Sequence, residues 1–204
     1  MVESRIFTAN DVWKGGHYEL FIQPSVGSSE DLCALLKALW TFPSLEGCYV
    51  RDDCEPSTQV RVQPCESSVM GHLYGLATLP NQTVVACGSY MMDYPGEEGA
   101  QAAHWVSFYM PLGALSLAYP IGAYPFGPMD KVSEWKTPVD SFLTQAAMQT
   151  YSKVPFDFAL VGFEVDVSAV SPQTIRERGI PAERSDGILW NEGSELKWHP
   201  ATRP

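Results

Sequence analysis

The chain has 204 residues, 45% of them hydrophobic and only 18% charged: enough apolar material for one sizeable core, and too little charge for a disordered polymer. Lys and Arg number 13 against 24 Asp and Glu, a formal charge of −11, which argues against general nucleic-acid binding because phosphate neutralisation needs clustered cations. One domain over 1–204 is the expected count, with 137–204 as a candidate minor subdomain.

Taken along the chain, Met1–Asn10 carries Glu3 and Arg5 and no apolar core segment, so no secretory signal is expected. Cys33, Cys48, Cys54, Cys65 and Cys87 are an odd number at irregular spacing. Without a signal they read as five reduced thiols and a cytoplasmic protein. Ile6–Ala9 is short and apolar and reads as β-structure. His17–Gln23 alternates as a strand with Tyr18, Leu20 and Ile22 on one face. Ser28 is placed to cap a helix with Asp31 three residues on, and Leu32, Leu35, Leu36, Leu39 and Trp40 form one helical stripe that Pro43 closes.

Cys48–Val50, Gln59–Val62, His72–Leu79, Thr83–Cys87 and Trp105–Met110 read as strands, the third and fourth joined across Pro80-Asn81-Gln82. Gly99–Met129 carries no charge, but its prolines and glycines break any continuous span, so no membrane helix is expected. A second helix is expected from Thr137, with Pro138 in its first turn, to Pro155. A strand over Phe158–Val165, a helical turn from Ser171-Pro172 to Gly179 and a hairpin over Gly187–Pro200 complete the chain. These elements give an α+β class: a mostly antiparallel sheet with two or three helices packed on one face.

No nucleotide fingerprint, P-loop, nucleophile elbow or zinc-protease helix occurs, so no cofactor is expected. Cys48, Cys54, Cys65 and His72 are suitable zinc donors in kind, but no two of them share a knuckle spacing, so no metal site is expected. Cys87, His104 and Asp93 form the one candidate catalytic group. They would meet if the strands ending at Cys87 and opening at His104 paired with thiol and imidazole at one edge. Arg176, Arg178 and Arg184 alternate with Glu177 and Glu183 as a solvated face.

The most unusual stretch is Tyr119-Pro120-Ile121-Gly122-Ala123-Tyr124-Pro125-Phe126-Gly127-Pro128, a rigid aromatic loop of the kind that offers contact area at low entropy cost. The acidic turns Asp52-Asp53 and Glu97-Glu98 would steer a basic partner, and Tyr119, Tyr124 and Phe126 would supply the contact. The expected function is therefore non-catalytic: an acidic binding protein of the immunity-protein or antagonist type, acting on a protein partner such as a basic toxin or nuclease. Neither nucleic acid nor membrane is an expected partner. The alternative is a small enzyme or ligand-binding protein with an aromatic pocket using Cys87 and His104.

Overall fold

The computed structural model describes residues 5–25, 28–66, 71–94, 103–122, 124, 126, 129–193 and 195–203. Eight strands form one antiparallel sheet: β1 (His17–Pro24), β2 (Leu45–Tyr49), β3 (Leu73–Thr78), β4 (Val84–Tyr94), β5 (Ala103–Pro111), β6 (Phe156–Phe163), β7 (Gly187–Asn191) and β8 (Leu196–His199). Their order is β2-β3-β4-β5-β1-β6-β7-β8, so the first strand is inserted between β5 and β6 at the centre of the sheet. Among the described residues four α-helices complete it: α1 (Ser29–Leu39), α2 (Leu112–Leu115), α3 (Met129–Lys153) and α4 (Pro172–Arg178). The α+β class follows directly. Among the described residues no helix is long and apolar enough to cross a membrane.

Strand alternation divides the core in two. Leu20, Ile22, Val106, Phe108, Ala159 and Val161 pack with the apolar stripes of α1 and α3. Phe21, Trp105, Leu160 and Ile188, one residue out of phase, gather with Phe158 on the other side and meet Ile175 of α4. The helices are thus shared between the two faces, where the sequence suggested one. α4 is too short for a long stripe and contributes a single buried side chain, which periodicity does not register.

α1 forms as its sequence dictates. The Asp31 N–H donates to Ser28 Oγ at 3.1 Å and the Ser28 N–H to Asp31 Oδ2 at 3.3 Å, a reciprocal capping box. Leu32, Leu35, Leu36 and Leu39 are buried. Trp40 caps the helix and donates Nε1–H to Ser89 Oγ at 2.9 Å. Its ring lies against β3, where a Cβ at Gly75 would sit 2.5 Å from it, so glycine there makes the room for the indole.

α3 begins at Met129, not at Thr137, and Pro138 stands inside it. Proline removes one backbone bond, a cost of about 3 kcal/mol. Val132 and Trp135 lie on the same buried stripe as Val139, Phe142, Leu143 and Ala146, and their burial carries the helix through the proline. Ile6–Ala9 is a bend, not a strand. The Glu55 carboxylate accepts the N–H groups of Ile6, Phe7 and Thr8 and the Thr8 hydroxyl, taking donors a ladder would have used. Gln59–Val62 is likewise irregular: the Gln59 N–H donates to Pro56 O at 3.1 Å and the Val62 N–H to Cys48 O at 2.9 Å, and no ladder forms.

Cys33 on α1 and Cys65 form a disulfide, with Cα atoms 5.8 Å apart. Cys48, Cys54 and Cys87 are free. The expectation of five reduced thiols is corrected here: two cysteines 32 positions apart are brought together by the excursion between β2 and β3 folding back over α1, which residue spacing does not reveal.

Candidate functional site

The Cys–His group expected from the sequence is not assembled. β4 and β5 pair with Asp93 opposite His104, and His104 Nδ1 lies 2.7 Å from Asp93 Oδ1. Cys87 lies further along β4, at residue 87 against residue 93, roughly 20 Å away at about 3.3 Å per residue. It is fully buried among apolar neighbours, and burial pushes its thiol well above the ordinary range, so it is not poised as a nucleophile. The strands do pair, in a register that brings the acid to the imidazole.

The acidic and aromatic elements are not one patch either. Arg51 clamps Asp53 with two bonds, Nε to Oδ1 at 2.9 Å and a second nitrogen to Oδ2 at 2.8 Å, which leaves Asp52 as the acid of that turn without a guanidinium on it. Asp52 lies close enough to Tyr74 on β3 to add to the burial that raises its phenol pKa. Tyr124 and Phe126 instead pack on Phe163 at the end of β6. Between β3 and β6 stand β4, β5 and β1, roughly 19 Å at about 4.8 Å per strand. Tyr119 is half-buried and turns into the core, and burial raises its phenol. Glu97 and Glu98 lie outside the described residues.

A different set of acids meets the aromatic loop. β1 begins, and β5 and β6 end, at one end of the sheet: Tyr18 pairs with both Met110 and Phe163. β7 starts there too, with Gly187 opposite Val161. The segments leaving that end deliver Tyr124, Phe126, Phe163, Glu164, Ser185, Asp186 and Lys136 to one cavity of about 340 Å³. The Tyr124 ring stacks on Phe163 (centroids 5.2 Å, interplanar angle 28°) and Phe126 stands edge-on to both, at 5.5 and 5.0 Å. Tyr124 is nevertheless 68% exposed, the most open aromatic ring among the described residues.

The charges around this cavity are held apart. The His17 N–H donates to Glu164 Oε1 at 2.7 Å. Asp186 lies against the backbone of β6: a Cβ at Gly162 would meet its Oδ1 at 2.1 Å, so glycine makes the room for this carboxylate. Lys136 is only 7% exposed, with Nζ 6.0 Å from the centre of the Tyr18 ring, and the Tyr18 hydroxyl donates to Asp140 Oδ1 at 2.5 Å. Burial pushes Asp140 up to about 6 against the pull of the Tyr18 bond and Lys136. Burial likewise pushes Asp186 up to about 6, against Lys136. Burial lowers Lys136, opposed by the same two aspartates. Among the described residues the side chains of Asp186 and Lys136 make no hydrogen bond or ion pair.

A second polar cluster lies on the sheet face that carries Glu19, next to Glu164 and Asp186. His72 stacks on Tyr90 (4.8 Å, 13°), its Nδ1 lies 3.2 Å from the Tyr109 hydroxyl, and His17 packs on the Tyr109 ring at 4.4 Å. Behind it Glu19 is 5% exposed, accepting from Val165 N–H at 3.2 Å and from Ser107 Oγ at 3.4 Å. Burial, reinforced by Glu164, pushes Glu19 up to about 8. Its native pKa therefore exceeds the unfolded one, so the folded state holds the extra proton between about pH 4.5 and 8 and stability falls as pH rises through that window. Between pH 7 and 8 the aspartates, both raised only to about 6, no longer contribute. Glu19→Gln is expected to remove a slope of up to about 1.4 kcal/mol per pH unit there, read from urea unfolding at several pH values.

Of the side chains considered as zinc donors, Cys65 is committed to Cys33 in the disulfide. No known protein family matches the chain, and no curated protein or solved structure matches it either.

Proposed function

We propose that the protein is a non-catalytic binding protein that recognises a basic protein partner and blocks it, in the manner of an immunity protein or antagonist. The observation that carries this reading is the exposed Tyr124 ring, stacked on Phe163 beside the carboxylates of Glu164 and Asp186. An aromatic face next to charge is the composition of a binding hot spot. The formal charge of −11 supplies the long-range field that draws a basic partner in. Asp52 lies too far across the sheet for direct contact at Tyr124 and acts through that field. The Cys33–Cys65 disulfide weighs against the reducing cytosol suggested by the cysteine count and favours an oxidising compartment.

The test is capture of the partner followed by binding kinetics on the pure pair. Neutralising Glu164 and Asp186 together is expected to slow association severalfold at low salt and to flatten its salt dependence. Tyr124→Ala is expected to act on dissociation instead, speeding it tenfold or more. Unchanged rates in both variants would refute this surface.

A further inference from the structure

We infer that the cavity between Tyr124 and Asp186 receives the guanidinium of a single arginine from the protein partner. This deepens the binding reading above and rests on it. The cavity, about 340 Å³, sits at the lower limit of ligand pockets, about 300 Å³, and has room for one long side chain. Its walls are flat rings: Tyr124 lies over Phe163 with Phe126 edge-on, so a planar cation can lie on the Tyr124 face while its aliphatic stem runs along the ring edges. Guanidinium suits such a place better than ammonium, because it is weakly hydrated, stacks on rings and meets carboxylates with a fixed fork.

The charges support a cation. Glu164 and Asp186 line the cavity, and the Asp186 side chain accepts no hydrogen bond among the described residues. Lys136 argues the other way, since a buried ammonium alone would draw an anion. It sits toward Tyr18, within the field of Asp140 as well as of Asp186. Those four groups carry three formal negative charges against one positive, and the carboxylates toward the mouth keep the balance for a cation. Gly162 and Gly16 hold these acids in place: a Cβ at either would collide with Asp186 Oδ1 or with Glu164 Oε1, at 2.1 and 2.7 Å.

The experiment is an NMR titration of the full chain with three capped single residues: N-acetyl-arginine amide, N-acetyl-lysine amide and N-acetyl-glutamate amide. The arginine probe is expected to saturate at millimolar concentration, with the largest shifts at Phe163, Glu164 and Asp186. The lysine probe should bind at least threefold more weakly and the glutamate probe not at all. Asp186→Asn and Tyr124→Ala should each weaken the arginine probe tenfold or more; Tyr124 is a surface residue, so its variant reports on the site even if Asp186→Asn perturbs folding. Saturation by the glutamate probe would assign the site to an anion on Lys136 and overturn the inference. So would equal binding of lysine and arginine, or no saturation by arginine. The two readings separate cleanly: a partner held through Tyr124 while the arginine probe fails leaves the binding function standing without this site. An arginine probe that saturates in a protein that binds no basic partner keeps the site and removes the function.

Discussion

Leu36→Ala is expected to destabilise the fold by about 2–5 kcal/mol. Leu36 is 2% exposed and stands in the middle of the α1 stripe, where it packs in the main core with Leu35, Leu39, Val106 and Phe108. Truncation removes the transfer free energy of its lost methyl and methylene groups. It also leaves a cavity that α1 cannot close, because the helix is held at its start by the capping box and at its end by the Trp40–Ser89 bond. Lys37→Ala, one residue on and exposed, should change stability by less than about 0.5 kcal/mol. Urea unfolding of the two variants beside the wild type measures the contrast. A loss under 1 kcal/mol for Leu36→Ala would mean that α1 does not pack on the sheet by this face.

Reduction of the Cys33–Cys65 disulfide is expected to cost about 3–4 kcal/mol, the chain-entropy value for a closed loop of this length. The bond spans 32 positions and ties α1 to the segment that leaves β2, much of which is irregular. The denatured, unreduced protein should show three titratable thiols, from Cys48, Cys54 and Cys87, and five after reduction. Cys33→Ser with Cys65→Ser should match the stability of the reduced wild type. Five thiols before reduction would remove the bond and the argument for an oxidising compartment with it.

Much of the fold was legible because it obeys short-range rules. The α1 stripe and its Ser28–Asp31 cap are local and match the structure, and Tyr18, Leu20 and Ile22 of β1 are buried as the alternation requires, though Glu19 and Phe21 are buried on the other face as well. The hairpins β3–β4 and β7–β8 were equally plain from their turns. α3 was misplaced because Pro138 looked like a first-turn proline, and the burial of Val132 and Trp135 that overrides it is a tertiary effect. The disulfide was missed for the same reason.

The site was half legible. Tyr124 and Phe126 stood out as an odd aromatic loop, and they do meet at the surface, but with Glu164 and Asp186, not with Asp52 and Asp53. Those acids are some 40 to 60 positions from Tyr124 in sequence, and only the insertion of β1 between β5 and β6 brings the strand ends together. A weak signal existed in the acids and glycines that bound two apolar runs: Gly162-Phe163-Glu164 closes one and Asp186-Gly187 opens the other. Nothing local paired the two.

The claim that the Tyr124 end of the sheet is the recognition surface is tested most directly by amide hydrogen exchange of the protein alone and saturated with its basic partner. Bound partner should protect the amides of residues 163–165 and 184–187, along with Tyr124, and leave the turn at Asp52–Asp53 exchanging as before. Protection confined to that turn, or to the cluster around His72 and Tyr90, would contradict the account.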